Sequence, residues 1–192
     1  MAIKDSKKTI AAIAVIVCGG LIFTAAIVRA FFYTEDIALH AEIISPNIPT
    51  ELIIPKLNID AKVLEMGITA KGNMEAPHNF TDVGWYEYGT IPGNIGSAVI
   101  DGHVDNGLSL PAVFKNLKTL QKGDDIFVME SSTQLHFVVT DIERYYYTSA
   151  PLSLIFNAKD GRRLNLITCD GSWVTADKTD DHRIVVFAIL KQ

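Results

Sequence analysis

The chain has 192 residues, 48% of them hydrophobic and 20% charged, with a formal net charge of -5. That mixture can bury a core and excludes wholesale disorder. Beyond the first few residues there is no basic cluster, so the electrostatic footprint of a nucleic-acid binder is missing.

Residues 1–8 carry Lys4, Lys7 and Lys8 and read as a cytoplasmic tail. Ile10 to Val28 then runs without a charged side chain. As a helix this run would reach roughly 29 Å, against a hydrocarbon core of about 30 Å. Arg29 follows, then Glu35, Asp36 and Glu42. The lysine excess on the N-terminal side predicts a cytoplasmic N-terminus and an extracytoplasmic remainder. A transmembrane signal anchor is therefore expected over 9–29. The run exceeds the usual apolar stretch of a cleaved signal peptide, about 7–15 residues, and Val28-Arg29-Ala30 is a poor cleavage site. Cys18 is preceded by Val17, too bulky for a lipoprotein site.

Residues 30–50, with Pro46 and Pro49, show no sustained period and read as an extracytoplasmic tether. The folded domain is expected over 51–192. It reads as strands: Leu52–Ile54, Lys62–Leu64, Ser97–Ile100, Asp125–Met129, Leu135–Val139, Arg163–Thr168 and Arg183–Leu190. These runs are rich in β-branched residues and bounded by Gly, Asn, Asp and Pro. Pro111 to Leu120 spaces Val113, Phe114, Leu117 and Leu120 as a short helix would. The expected architecture is a mostly β closed barrel of seven or eight strands with one or two short helices, preceded by one transmembrane helix. A closed barrel leaves no exposed edges.

Only two cysteines occur, Cys18 and Cys169. With Cys18 in lipid, Cys169 is a lone thiol in an extracytoplasmic domain. Such a cysteine can be a small buried hydrophobe. Its surroundings point elsewhere. Asn165-Leu166-Ile167-Thr168-Cys169 puts the thiol at the end of an apolar strand, with Asp170-Gly171-Ser172 expected to break that strand. Val99-Ile100-Asp101-Gly102-His103 puts a histidine just past another. Arg183 would open the last strand, where antiparallel pairing would bring its guanidinium to Cys169. By itself Arg183 is a plain surface charge. Asp101 and Asp105 flank His103, but no second histidine stands near, so no metal site is expected. His136 should face solvent on its alternating strand. His78 and His182 read as surface or cap residues. Trp85 and Tyr86 read as packing, and Tyr145-Tyr146-Tyr147 as a groove lining or an apolar rim.

Together these stretches resemble the sortase family. The resemblance rests on Leu166-Ile167-Thr168-Cys169 closing a strand, Gly102-His103 after an apolar strand, and Arg183 opening the final one. Ile54-Pro55-Lys56-Leu57-Asn58-Ile59, Asp82-Val83-Gly84-Trp85-Tyr86 and Phe114-Lys115-Asn116-Leu117 also fit, in order, from Leu52 onward. The chain looks most like class F, with classes D and E as alternatives. It departs from the family at Asn165, often Thr or Ser, and the tether shows no Asp-Pro-aromatic lid.

The resemblance implies a cysteine transpeptidase. Cys169 would be the nucleophile, His103 the proton carrier and Arg183 the electrostatic support, with Thr168 in the substrate cradle. A thiolate is the reactive form and a neighbouring cation favours it. The implied substrates are surface proteins bearing a Leu-Pro-x-Thr-Gly-like sorting signal, and the implied acceptor is a peptidoglycan-precursor amine. No cofactor is implied. The alternatives are a catalytically degenerate sortase-fold binding module and a cysteine hydrolase that releases surface proteins.

Overall fold

The computed structural model describes residues 48–191. The expected anchor and most of the tether lie outside that range. Among the described residues no helix is long and apolar enough to cross a membrane.

Eight strands close into one barrel: β1 (Pro49–Ile54), β2 (Ile59–Met66), β3 (Val83–Tyr86), β4 (Gly96–Asp101), β5 (Asp125–Glu130), β6 (Thr133–Tyr146), β7 (Arg162–Val174) and β8 (Thr179–Leu190). Their order around the barrel is β1-β2-β3-β4-β7-β8-β6-β5. The β2–β3 and β4–β7 pairs are parallel and the others antiparallel. The seven expected strands are all present, and β3 is the eighth. At four residues, with Gly84 in its middle, it is too short for a period to show.

Period-two alternation sends one face of each strand inward. Leu52, Ile54, Ala98, Ile100, Ile126, Val128, Phe137, Leu164, Leu166 and Val186 fill the barrel and are fully enclosed. Trp85 joins them and donates its indole N–H to Thr90 O at 3.1 Å. The expected helix at Pro111–Leu120 is a chain of turns ending in a 3-10 segment, Leu117–Thr119. Its bonds run i+3 to i, as from Leu117 N to Phe114 O and from Leu120 N to Leu117 O. Phe114, Leu117 and Leu120 recur at every third residue, the period of a 3-10 helix, so all three reach the core from one side.

A second, smaller cluster lies on the outside of the wall. Val99, Val185 and Phe187 are buried there under Ile155 of α1 (Leu152–Asn157), with Tyr86, Tyr145, Phe156 and Ile167 packed around them. This explains why β4 is apolar at every position from Ala98 to Ile100: it is covered on both faces. A six-residue helix has no independent stability, since isolated helices under about 12–15 residues are marginal. Burying Ile155 contributes about 1.5–3 kcal/mol. Asn165 adds a hydrogen bond from Nδ2 to Ile155 O at 2.6 Å inside the seam. Replacing Asn165 by Ala is predicted to cost about 1 kcal/mol. Hydrogen exchange at Leu152–Asn157 should quicken while the barrel amides stay protected.

Candidate active site

The outer face of three adjacent strands carries the candidate residues in one row. On β4 the outward positions are Ser97, Val99 and Asp101; on β7, Asn165 and Ile167; on β8, Phe187 and Val185. Val99 pairs with Asn165 and Asp101 with Ile167. Asn165 pairs with Phe187, Ile167 with Val185, and Cys169 with Arg183. The β4–β7 pairing ends at Asp101 opposite Ile167, with His103 two residues further on. Cys169 has Arg183 directly opposite it on β8.

The Gly-His step is held from both sides. Gly102 N–H donates to Ile167 O at 3.1 Å, and the Thr168 hydroxyl donates to Gly102 O at 2.7 Å. A Cβ on Gly102 would lie 2.6 Å from the Phe114 ring and 2.9 Å from Val113. Only glycine lets the core pack that close behind His103. The imidazole Nε2 lies 2.8 Å from Pro77 O, and Phe80 packs on the ring at 5.1 Å. A carbonyl only accepts, so Nε2 carries the proton, and Nδ1 is the nitrogen whose protonation can change. Thr168, expected in the substrate cradle, is buried with its hydroxyl committed to Gly102.

Arg183 folds its guanidinium back along β8. Nη1 donates to Asp180 O at 2.8 Å and to His182 O at 2.7 Å, and Nη2 donates to the Thr179 hydroxyl at 2.6 Å. The Tyr147 ring lies 5.7 Å from its central carbon. Of five guanidinium N–H groups, three are so engaged. The others remain for a ligand.

The strands do not end where the sequence led us to expect. Asp170-Gly171-Ser172 does not break β7; the ladder resumes at Trp173 after a bulge. Gly171 has φ +96°, and a Cβ there would run into Asp181. Asp170 is clamped by Arg144 at 2.6 Å and Lys118 at 3.1 Å. Burial opposes its ionisation, but these two cations outweigh that and hold its pKa below the usual carboxylate range. The clamp ties the residue after Cys169 to β6 and to the turn before β5.

The Cys169 thiol is free and partly buried. Burial pushes its pKa above the ordinary thiol value; Arg183 and the Thr179 hydroxyl pull it down, while Asp180 and Asp101 push it up. The resting group at neutral pH is the thiol. Asp101 is itself enclosed, with Oδ1 lacking a hydrogen-bond partner, and burial lifts its pKa to about 8. It lies against Gly84, where a Cβ would be 2.6 Å from Oδ1. Thr179 and Asp180 were not legible as site residues; Tyr147 was read as a groove lining or an apolar rim, and Asp101 only as a carboxylate flanking His103. Nothing in their spacing links them to Cys169 until the hairpin curls and the parallel strands align. Elsewhere, His136 stacks on Phe127 and meets Asp125 on the barrel exterior, apart from the row. His182, read as a surface or cap residue, is buried beneath Tyr146 and bonded to Asp181.

A family model described as the sortase domain matches residues 52–191. The chain belongs to the sortase family. Membership makes it a cysteine transpeptidase by class. Solved sortases share its fold. Sortase A from Corynebacterium diphtheriae is 18% identical with a TM-score of 0.60, over 76% of this chain but only 61% of that one. A Clostridium perfringens sortase D5 transpeptidase is 20% identical with a TM-score of 0.55, over 74% and 78% of the two chains. Sortase C-1 from Actinomyces oris is 21% identical with a TM-score of 0.60, over 82% and 81%. At these identities the likeness establishes the fold and leaves the class open. No curated protein matches the chain.

Two predictions follow from the electrostatics of this sortase. Arg183→Gln should raise the Cys169 pKa and Asp180→Asn should lower it. The check is the pH profile of iodoacetamide alkylation, read on the Cys169 peptide so that Cys18 does not contribute. Asp101 ionises near 3.8 when unfolded but near 8 when folded. Its raised folded value means that stability is fullest below the unfolded pKa and is lost as pH rises toward 8. Asp101→Asn should therefore narrow the stability gap between pH 5 and pH 8 in urea unfolding.

Proposed function

We propose that this sortase is anchored in the membrane by residues 9–29, with its N-terminus in the cytoplasm and its barrel outside. It cleaves a Leu-Pro-x-Thr-Gly-like sorting signal of surface proteins and transfers them to a cell-wall amine. The observation that carries the reading is the Cys169–Arg183 cross-strand pair, next to the β4–β7 pairing whose last β4 residue, Asp101, precedes His103 by two.

The proposed chemistry assigns one task to each side chain. Imidazole Nδ1 takes the thiol proton, and the sulfur attacks the Thr carbonyl carbon. A C–S bond forms and the carbonyl electrons move to oxygen. The free N–H groups of Arg183 hold that oxyanion, a service whose removal typically costs about 3–4 kcal/mol of barrier. As the carbonyl reforms, the C–N bond to Gly breaks and His103 gives its proton to the departing amine. A thioester remains. The acceptor amine attacks it, His103 removes the amine's extra proton, and sulfur leaves as thiolate. Thr168 serves by fixing Gly102 and so the height of His103. The thiol that predominates at rest limits oxidation outside the cell, since the thiolate is the oxidisable form.

The test is mass spectrometry of the full chain with a sorting-signal peptide, with and without an amine. The wild type should form a thioacyl adduct on Cys169 and, with amine, a transfer product. Cys169→Ala and His103→Ala should keep their fold and yield neither. Normal turnover by Cys169→Ala would end the reading. Adduct with release to water only, even with abundant amine, would make it a hydrolase. A folded wild type with no adduct would make it a binding module.

A further inference from the structure

The Arg183 guanidinium has one side-chain hydrogen-bond partner among the described residues. Thr179 begins β8, four residues before Arg183, and its hydroxyl accepts from Arg183 Nη2 at 2.6 Å. Arg183 stands directly opposite Cys169 in the β7–β8 ladder, so the hydroxyl bears on the cation that faces the sulfur. The segment that presents Thr179 is anchored independently. The Tyr147 hydroxyl donates to Asp177 at 2.6 Å, and Lys178 N–H closes the hairpin on Val174 O.

Resting on the reading of Cys169 as nucleophile, we propose that Thr179 is a positioning residue of this sortase: its hydroxyl fixes the Arg183 guanidinium that stands opposite Cys169. The other hydrogen bonds of the guanidinium go to backbone carbonyls of its own strand, Asp180 O and His182 O, and the Tyr147 ring lies 5.7 Å from its central carbon. Thr179 supplies the one side-chain hydrogen bond it has among the described residues. The charged or titratable groups that bear on the sulfur are Arg183 and Asp180 from β8 and Asp101 from β4, with His103 just beyond the end of β4. Thr179 adds no charge to this set. It decides where the one permanent cation in it stands.

The test uses the full chain in detergent and three variants: Thr179→Val, which keeps the β-branched shape, Thr179→Ser, which keeps the hydroxyl, and Thr179→Ala. The readout is the pH profile of iodoacetamide alkylation on the Cys169 peptide. It requires no substrate and so stands apart from the transpeptidase reading. Val and Ala should slow alkylation at neutral pH by about tenfold, the order of one hydrogen bond to a charged group. Ser should restore most of the rate, and the thermal midpoint of Val should stay near that of the wild type. With a sorting-signal peptide, Val should lose kcat more than KM. An unchanged alkylation profile in both Val and Ala would overturn the proposal. So would a Ser variant as slow as Val, because the hydroxyl would then not be the cause. A normal thiol shift in a chain that forms no thioacyl adduct would leave Thr179's role standing and remove the transpeptidase reading instead.

Discussion

Residues directly opposite one another in an antiparallel ladder present their side chains on one face, with Cβ atoms about 4.5–5.5 Å apart. Cys169 and Arg183 are such a pair, and a slip of one residue would send one of them to the barrel interior. The register is fixed below them by apolar pairs on both faces. Leu166 opposite Val186 faces the core, and Ile167 opposite Val185 faces the outer cluster. Above them, the Gly171 bulge absorbs the extra residues before the hairpin. The placement of a cation beside the sulfur is thus a consequence of packing over most of β7 and β8.

Electrostatics at the sulfur is a contest that burial wins in the resting protein. The enclosed position disfavours a thiolate, and the carboxylates of Asp180 and Asp101 add to that. Arg183 and Thr179 oppose it without prevailing. An enclosed thiol flanked by a fixed cation gains most when charge develops on a ligand oxygen nearby, because low dielectric strengthens that interaction as well. The same surroundings that keep the cysteine quiet at rest make Arg183 effective once substrate excludes water.

Much of this was legible along the chain. Seven strands announced themselves by β-branched runs between turn residues, and Cys169, His103 and Arg183 by the apolar runs they adjoin, although β7 continues past Cys169 and β8 begins before Arg183 instead of at it. The outer cluster was harder. Ile155 gave no signal, and Asn165 stood out only as a departure from the family pattern, because their meaning lies in a contact between segments ten residues apart. The Phe114, Leu117 and Leu120 series was read at helical spacing when its three-residue recurrence suits a 3-10 turn. Thr179 gave no signal, since residues four apart on a regular strand do not meet.

The sequence by itself determined which elements form and which chemistry is available, because strand periodicity, turn residues and the supply of one thiol, one Gly-His step and one arginine ahead of an apolar run are local properties. The tertiary structure alone decided that these groups share the outside of the wall, that burial outweighs the cation at the sulfur, and that Thr179 and Asp101 stand beside it. Those outcomes depend on parallel pairing of β4 with β7, on the bulge at Gly171 and on the degree of enclosure. All three arise from contacts between distant segments, which local pattern does not encode.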